Sequence, residues 1–303
     1  MSKNFDIYQA VTDRIIEGLK KGVIVWRKTW KQTGGFPVNY ASKKHYHGIN
    51  VLILWFHMEK HGFTQPYYLT FNQIKKLKGS VKKGSQSEIV VYWQFLEKDT
   101  GEKDKNGKPI IRRIPLLKYY RVFNIQQTDI KIPEAEKPIK EFQQIENAEN
   151  FVAGYKDKPA VRHGGRGGAY YNPVQDFINM PEPESFETEA DYYCTLFHEL
   201  THSTGHKDRL NRDEVVGTDG FGGEKYSKEE LTAEIGTAFI CSLTGISNEK
   251  LEENQQAYIN GWIKALENQP KMILIASNKA QKAVNYMQGL VKAEQNQEQE
   301  AGV

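Results

Sequence analysis

Phe197-His198-Glu199-Leu200-Thr201-His202-Ser203-Thr204-Gly205-His206 decides how the second half of this 303-residue chain is read. Glu187, Glu189 and Asp191 precede it and Gly205 follows, the charge order and the stop signal of a helix over 187–204. His198 and His202 are four residues apart, so a helix projects both imidazoles from one face. Two nitrogens placed in this way reach one Zn2+, and Glu199 beside them stands where a general base takes a proton from water. The same short pattern also turns up by chance in unrelated helices as plain surface histidines, so its weight depends on a partner elsewhere in the chain.

Four-coordinate Zn2+ needs a third protein ligand and an open position. Glu230-Leu231-Thr232-Ala233-Glu234 lies on the next expected helix, 227–243, with its two carboxylates four apart on one face. Glu234 shares its side with Leu231, Ile235 and Ala238, where a carboxylate is costly unless it meets a cation or a donor. A competing reading makes Glu230 the far end of a capping box from Ser227, since Ser227-Lys228-Glu229-Glu230 fits that pattern. One of Glu230 and Glu234 is expected at the metal.

HExxH followed by ExxA(D/E) on the next helix resembles the gluzincin-type metallopeptidases. That resemblance implies Glu230 as third ligand and Glu234 as the carboxylate that orients His198 or His202. Glu stands last where Asp is common, which leaves the two roles open to exchange. His206 follows a helix-ending glycine and reads as a cap or loop contact, with metal ligation as the alternative. Cys194, one turn before His198, is either a buried structural thiol or a neighbour of the metal. Tyr226 is the expected oxyanion stabiliser, with His163 a further candidate, and Gly217-Thr218-Asp219-Gly220-Phe221-Gly222-Gly223 is either a lid or a long loop. Zn2+ follows from His/His/Glu ligation, with Mn2+ or another divalent metal able to occupy such a site.

Charge separates the halves. Residues 1–130 hold 23 Lys and Arg against 10 Asp and Glu, a balance of +13, whereas 131–303 hold 18 against 28, a balance of −10. Two domains with different partners are expected, the basic one suited to a polyanion. Two cysteines imply no disulfide framework, and no apolar run approaches the ~20 residues of a membrane span, so a cytoplasmic protein without membrane contact is expected.

The expected fold class is α+β in two domains. Helical periodicity covers 4–21, 49–59 and a basic helix 71–78 with Thr70 as N-cap, while 89–95 and 110–123 read as paired strands around turn residues 104–108. Domain one, 1–130, is thus helices on a small antiparallel sheet. Polar, Pro- and Glu-rich 131–150 reads as a linker that leads into a helix start near Ile145. Domain two, 151–293, reads as mainly helical with a small sheet from a glycine-flanked hairpin over 164–180, and helices at 249–268 and 271–289. The Gln- and Glu-rich tail 294–303 reads as disordered.

In the basic half Lys21, Arg27 and Lys28 interleave with Trp26 and Trp30. Lys43 and Lys44 precede Tyr46, and Lys75, Lys76, Lys82 and Lys83 follow Tyr67, Tyr68 and Phe71. Cations that track phosphates and aromatics that stack bases would hold a single strand, each stacked base contributing ~1–3 kcal/mol. Duplex binding would rest on charge alone and be weaker. The bland reading is an aromatic core with solvated lysines around it.

A longer series of residues carries a family resemblance. Ile7-Tyr8-Gln9, Trp26-Arg27-Lys28-Thr29-Trp30, Tyr46-His47-Gly48-Ile49-Asn50, Leu69-Thr70-Phe71-Asn72-Gln73 and Val122-Phe123-Asn124-Ile125-Gln126-Gln127 resemble the N-terminal domain of ArdC-type antirestriction proteins. The stretch 197–206 with Arg209-Leu210 is similar to the same family's metallopeptidase-like domain. Val25 departs from it, where Pro is usual before the Trp. The resemblance implies a plasmid- or mobile-element-encoded protein that binds single-stranded DNA and protects incoming DNA from host restriction. It names no peptide substrate; a host protein or peptide is the candidate if the metal domain is a working peptidase. Two alternatives stand beside it: a single-strand protector whose metal site is structural or vestigial, and a primase accessory.

Overall fold

The computed structural model describes residues 6–27, 35–103, 107–132, 140–165, 167–216, 224–247 and 255–291. Asp6 caps the first helix, α1 (Ile7–Lys20), accepting from the backbone N–H of Tyr8 and Gln9, and the stripe Val11, Ile15, Ile16 and Leu19 is buried. A single 3-10 turn, Val25–Arg27, follows. The next helix, α2 (Ile49–His61), is apolar all round and buried from Val51 to Met58, as a helix in the middle of a core must be. It stops at Gly62, whose φ of 67° is the left-handed conformation a C-terminal stop requires.

Strands β1 (Val38–Asn39), β2 (Tyr67–Thr70), β3 (Glu88–Lys103) and β4 (Pro109–Asn124) form a sheet in the order β1-β2-β4-β3. The β3–β4 pairing is the expected hairpin, longer at both ends than its apolar runs. The pair β1–β2 is parallel, so the sheet is mixed where an antiparallel one was expected; a two-residue strand leaves no alternation to read. A short helix, α3 (Phe71–Lys76), starts at Thr70 in a full capping box with Gln73.

The expected linker is partly helix. Residues 133–139 lie outside the described residues, and α4 (Glu141–Gly154) occupies the rest. Ile145, Ala148, Phe151 and Val152 make a narrow stripe on an otherwise polar helix, and Ala148 is fully buried, which is why composition alone read as linker. A second sheet follows, β5 (Ala160–His163), β6 (Tyr170–Asn172) and β7 (Phe177–Met180), in the order β5-β7-β6. The expected hairpin is the antiparallel β6–β7 pair, and β5 joins parallel to β7. Five helices complete the chain: α5 (Glu189–Ser203), α6 (Asp213–Val216), α7 (Glu224–Thr244), α8 (Gln255–Asn268) and α9 (Met272–Met287). The glycine-rich stretch 217–223 and the tail 294–303 lie outside the described residues.

The two α+β domains share one continuous core. Phe36 and Trp55 of the first half pack against Phe239 of α7, with ring centroids 5.4 and 5.9 Å apart. Thr12 of α1 donates to the carbonyl of Pro270 at 2.5 Å, and the Gly48 amide donates to Gln281 of α9 at 3.2 Å. Burying a large apolar side chain contributes about 1.5–3 kcal/mol, so fully buried Trp26, Trp55 and Phe239 make the junction a main part of the stability of both halves.

Candidate metal centre

Helices α5 and α7 touch where Gly236 faces Thr201. A Cβ on Gly236 would lie 2.5 Å from Thr201 Cγ2, so glycine is what admits this approach. Thr201 precedes His202 on α5, and Gly236 lies two turns beyond Glu230 on α7. The close crossing therefore brings the two motifs together. His198 Nε2 and His202 Nε2 are 3.1 Å apart, and the Glu230 carboxylate oxygens lie 3.5 Å from the first and 3.4 Å from the second. Ligand bonds of ~2.0–2.1 Å place tetrahedral ligands about 3.3 Å from one another, so three donors at these separations fit one divalent ion. Among the described residues this is the one cluster of His, Cys, Asp and Glu with such spacing. The side chains of His198, His202 and Glu230 are 23, 14 and 26 % exposed, which leaves an open side for a fourth ligand. Glu199, next to His198 on α5, is buried at 6 % exposure.

The carboxylate that orients a histidine here is Glu229. Its Oε1 lies 3.1 Å from His202 Nδ1, opposite the nitrogen that faces Glu230. Arg212 grips the same carboxylate with both arms, Nε to Oε2 at 2.9 Å and Nη2 to Oε1 at 2.6 Å. It also donates to the Thr201 carbonyl at 2.8 Å and the Thr204 hydroxyl at 2.7 Å, adding to the bonds that close the end of α5. Gly205 makes room for it, since a Cβ there would lie 3.0 Å from the guanidinium carbon. Burial alone would raise the Glu229 pKa, but Arg212 and His202 outweigh it and hold it near about 2. Burial alone would lower the pKa of His202, yet Glu229 and Glu230 push it up to about 10 without an ion. The opposed pulls on Glu230 are burial, which raises its pKa, and the two histidines, which hold it well below the usual carboxylate range.

Glu229 and Arg212 carried no signal in the sequence because Lys228-Glu229-Glu230 has the look of a solvated charge run. The expected orienting residue, Glu234, is instead paired with Arg27 of the first half, at 2.5 Å to Nη2 and 3.1 Å to Nε. One residue of helix rotation separates 229 from 230, and four return 234 to a face that here meets the 3-10 turn carrying Arg27. The cation expected beside Glu234 is therefore a side chain. The capping-box alternative for Glu230 also falls, since Ser227 lies inside α7. His206 stands apart from the three donors: its Nδ1 accepts from the Asp208 amide at 3.3 Å, in the tight turn after α5. Cys194 is a buried thiol, 3.4 Å from the Cys241 sulfur across the α5–α7 contact, and it donates to the Ser247 carbonyl at 2.9 Å. His163 Nε2 meets the Tyr192 hydroxyl at 3.0 Å. Tyr226 lies on α7, but its side chain is outside the described residues.

Residues 5–123 match the family described as the N-terminal domain of anti-restriction factor ArdC, and residues 146–279 match a zincin-like metallopeptidase family. The metal-free crystal structure of antirestriction protein ArdC from the R388 plasmid is 35 % identical with a TM-score of 0.73, covering 94 % of this chain and 97 % of that one. The Mn(II)-bound structure of the same protein gives 34 % and 0.74, with 94 and 98 % coverage. The chain belongs to the ArdC antirestriction family. An uncharacterized protein, y4eC of Sinorhizobium fredii (strain NBRC 101917 / NGR234), is another relative, 35 % identical over 93 % of this chain and 91 % of its own length. A DNA primase TraC of Escherichia coli is 32 % identical over 92 % of this chain, which spans only 27 % of the primase.

In this ArdC-family chain the basic half departs from its sequence reading at particular residues. Trp26 is fully buried and donates through Nε1 to the Tyr258 hydroxyl at 3.2 Å. Arg27 lies over the Tyr258 ring at 3.9 Å besides pairing with Glu234. Both join the halves, so neither is free to meet a strand. Tyr46 is half-buried, its hydroxyl accepting from Asn39 at 3.3 Å, and burial raises its pKa. Lys21 is exposed and paired with Glu17 at 2.7 Å. Lys28 and Trp30 lie outside the described residues. Lys43 sits over the Tyr40 ring at 3.9 Å, Lys75 over Phe71 at 4.8 Å, and Lys82 donates to the Gln126 carbonyl at 2.9 Å. Lys44, Lys76 and Lys83 are exposed. A paired Asn39–Gln73 contact, at 3.1 and 3.2 Å, ties the loop of Lys43 and Lys44 to α3 with its Lys75 and Lys76. Those four cations thus share one region of the surface. No helix among the described residues is long and apolar enough to cross a membrane.

Proposed function

We propose that this ArdC-family protein protects incoming DNA from host restriction by binding single strands through its basic half, and that its second half is a divalent-metal peptidase. The observation that carries the proposal is three donors spaced for one ion, with Glu199 buried next to His198 on the same helix. A purely structural metal site has no use for a general base next to its histidines. An ion held by His198, His202 and Glu230 supplies Lewis acidity toward a carbonyl and acidifies water. Glu199 then takes the proton that the attacking water gives up and returns it to the leaving nitrogen. Glu229 fixes the ring of His202 so that Nε2 faces Glu230, where a bound ion would be held, and Arg212 keeps Glu229 charged and aimed. Two imidazoles and one carboxylate suit Zn2+, and the Mn(II) of the R388 protein fits the same donor chemistry.

The basic half supports the nucleic-acid part of the proposal through its +13 balance and the grouping of Lys43, Lys44, Lys75 and Lys76. Similarity to part of a DNA primase favours the same partner. Transfer of unmodified plasmid DNA into a restricting host, with wild type or Glu199→Gln supplied in the recipient, tests the peptidase. Loss of protection by Glu199→Gln is expected. Full protection would make the chain a single-strand protector whose metal site serves structure.

A further inference from the structure

β3 and β4 run far beyond the sheet they belong to. β4 pairs with β2 only from Val122 to Asn124, but with β3 from Val122 back to Pro109. The remainder is a two-stranded ribbon, a form that is marginal in water unless something covers it. Its surface is apolar and aromatic: Trp93, Leu96, Ile111, Ile114, Tyr119 and Tyr120 are all exposed. Strand β4 also carries Arg112, Arg113, Lys118 and Arg121 and no acidic residue.

Register places these side chains. Val90 lies opposite Tyr120, and Tyr92 opposite Lys118, so Tyr92, Lys118 and Tyr120 share one face near the root of the ribbon. The rings of Tyr92 and Tyr120 stack with centroids 4.6 Å apart and planes 6° from parallel, and Tyr120 is 53 % exposed. Such a stacked pair offers a flat aromatic platform with a cation beside it. Arg121 follows on the other face, exposed, with one arm 3.4 Å from the Ser87 hydroxyl.

Resting on the single-strand reading above, we infer that the Tyr92–Tyr120 platform is where a single nucleic-acid strand lays its bases, with Lys118 on its phosphates. A duplex hides its base faces inside its own stack, so this platform selects single strands, whereas cations alone hold both forms. The occupant is a polyanion because every charged residue of β4 is cationic, and register puts Lys98 and Arg112 on the face of Lys118 while Glu97 and Asp99 fall on the other face. A protein or second copy would use the aliphatic outer part, Leu96, Ile111 and Ile114, and would leave Lys118 beside the platform without a role.

Binding of a labelled oligothymidylate to the full chain, followed by fluorescence anisotropy across a salt series, tests this. Tyr92→Ala with Tyr120→Ala weakens binding about fivefold to about 150-fold for each base that stacks there. Lys118→Gln makes the salt slope shallower by about 0.7, the change for one cation on a single strand. Phe142→Ala, an aromatic 69 % exposed on α4, binds like wild type. Circular dichroism and sedimentation of each variant establish that fold and assembly are kept. Wild-type affinity in both ribbon variants, beside tight binding by wild type, overturns the inference and leaves the proposed function standing. Unchanged affinity with altered sedimentation identifies a self-association surface and also overturns it. Failure of wild type to bind the oligonucleotide overturns the single-strand reading and this inference together.

Discussion

Glu229 joins His202 to Arg212, and its removal tests whether the centre depends on a built support. Glu229→Gln keeps the shape and removes the charge, so divalent-ion affinity should fall about 10- to 100-fold. Calorimetric titration with Zn2+ checks this, and unchanged affinity would reduce Glu229 to a partner of Arg212. Arg212→Ala takes the guanidinium from a buried carboxylate and leaves it His202 alone, and should cost about 3–5 kcal/mol of stability, read by denaturant unfolding. Proton linkage has a definite sign at the same site. With its pKa near about 10 in the ion-free protein, His202 carries a proton at neutral pH that an ion must displace. Affinity should therefore rise with pH below that value, by up to about tenfold per pH unit for one displaced proton. A flat profile between about pH 6 and 8 would contradict this assignment. The histidine pair was legible in the sequence because helical spacing alone orients it. Glu229 was not, because a charged triplet on a helix does not reveal which member faces inward until the neighbouring helix is known.

Helix pairing is where the centre is assembled. Gly236→Ala gains up to about 1 kcal/mol of helix propensity, but its methyl group meets Thr201 at 2.5 Å, and overpacking costs about 1–3 kcal/mol. Lower thermal stability and weaker ion binding are expected together, because α7 must move away from α5 and takes Glu230 with it. A rise in melting temperature with ion binding kept would show that the crossing tolerates more distance. Long amphipathic helices such as α1, α5 and α9 could be read from periodicity and caps. The two-residue β1 and the four-residue β5 could not, because each is held by a parallel neighbour rather than by a pattern of its own. Helix α4 begins at Glu141, before the start near Ile145 that its first well-packed apolar residue suggested, because its first turn is mostly polar.

Across the whole molecule, Trp26 and Arg27 show what sequence cannot distinguish. An aromatic followed by a cation reads equally well as a strand-binding pair or as a joint between domains, and only the position of Tyr258 and Glu234 decides. Since Arg27 and Glu234 are mostly buried, Arg27→Ala should lower the stability of both halves, with one unfolding transition in the wild type monitored by signals from either half. Two separate wild-type transitions would contradict the shared core. The +13 and −10 halves are thus joined by a tight interface, which places the proposed strand-binding surface and the candidate metal centre on one body. The most direct test of the central claim is binding of labelled single-stranded and duplex DNA to the full chain across a salt series. Tight binding that favours the single strand and weakens steeply with salt is the predicted result. No binding to either form near physiological salt would contradict the account.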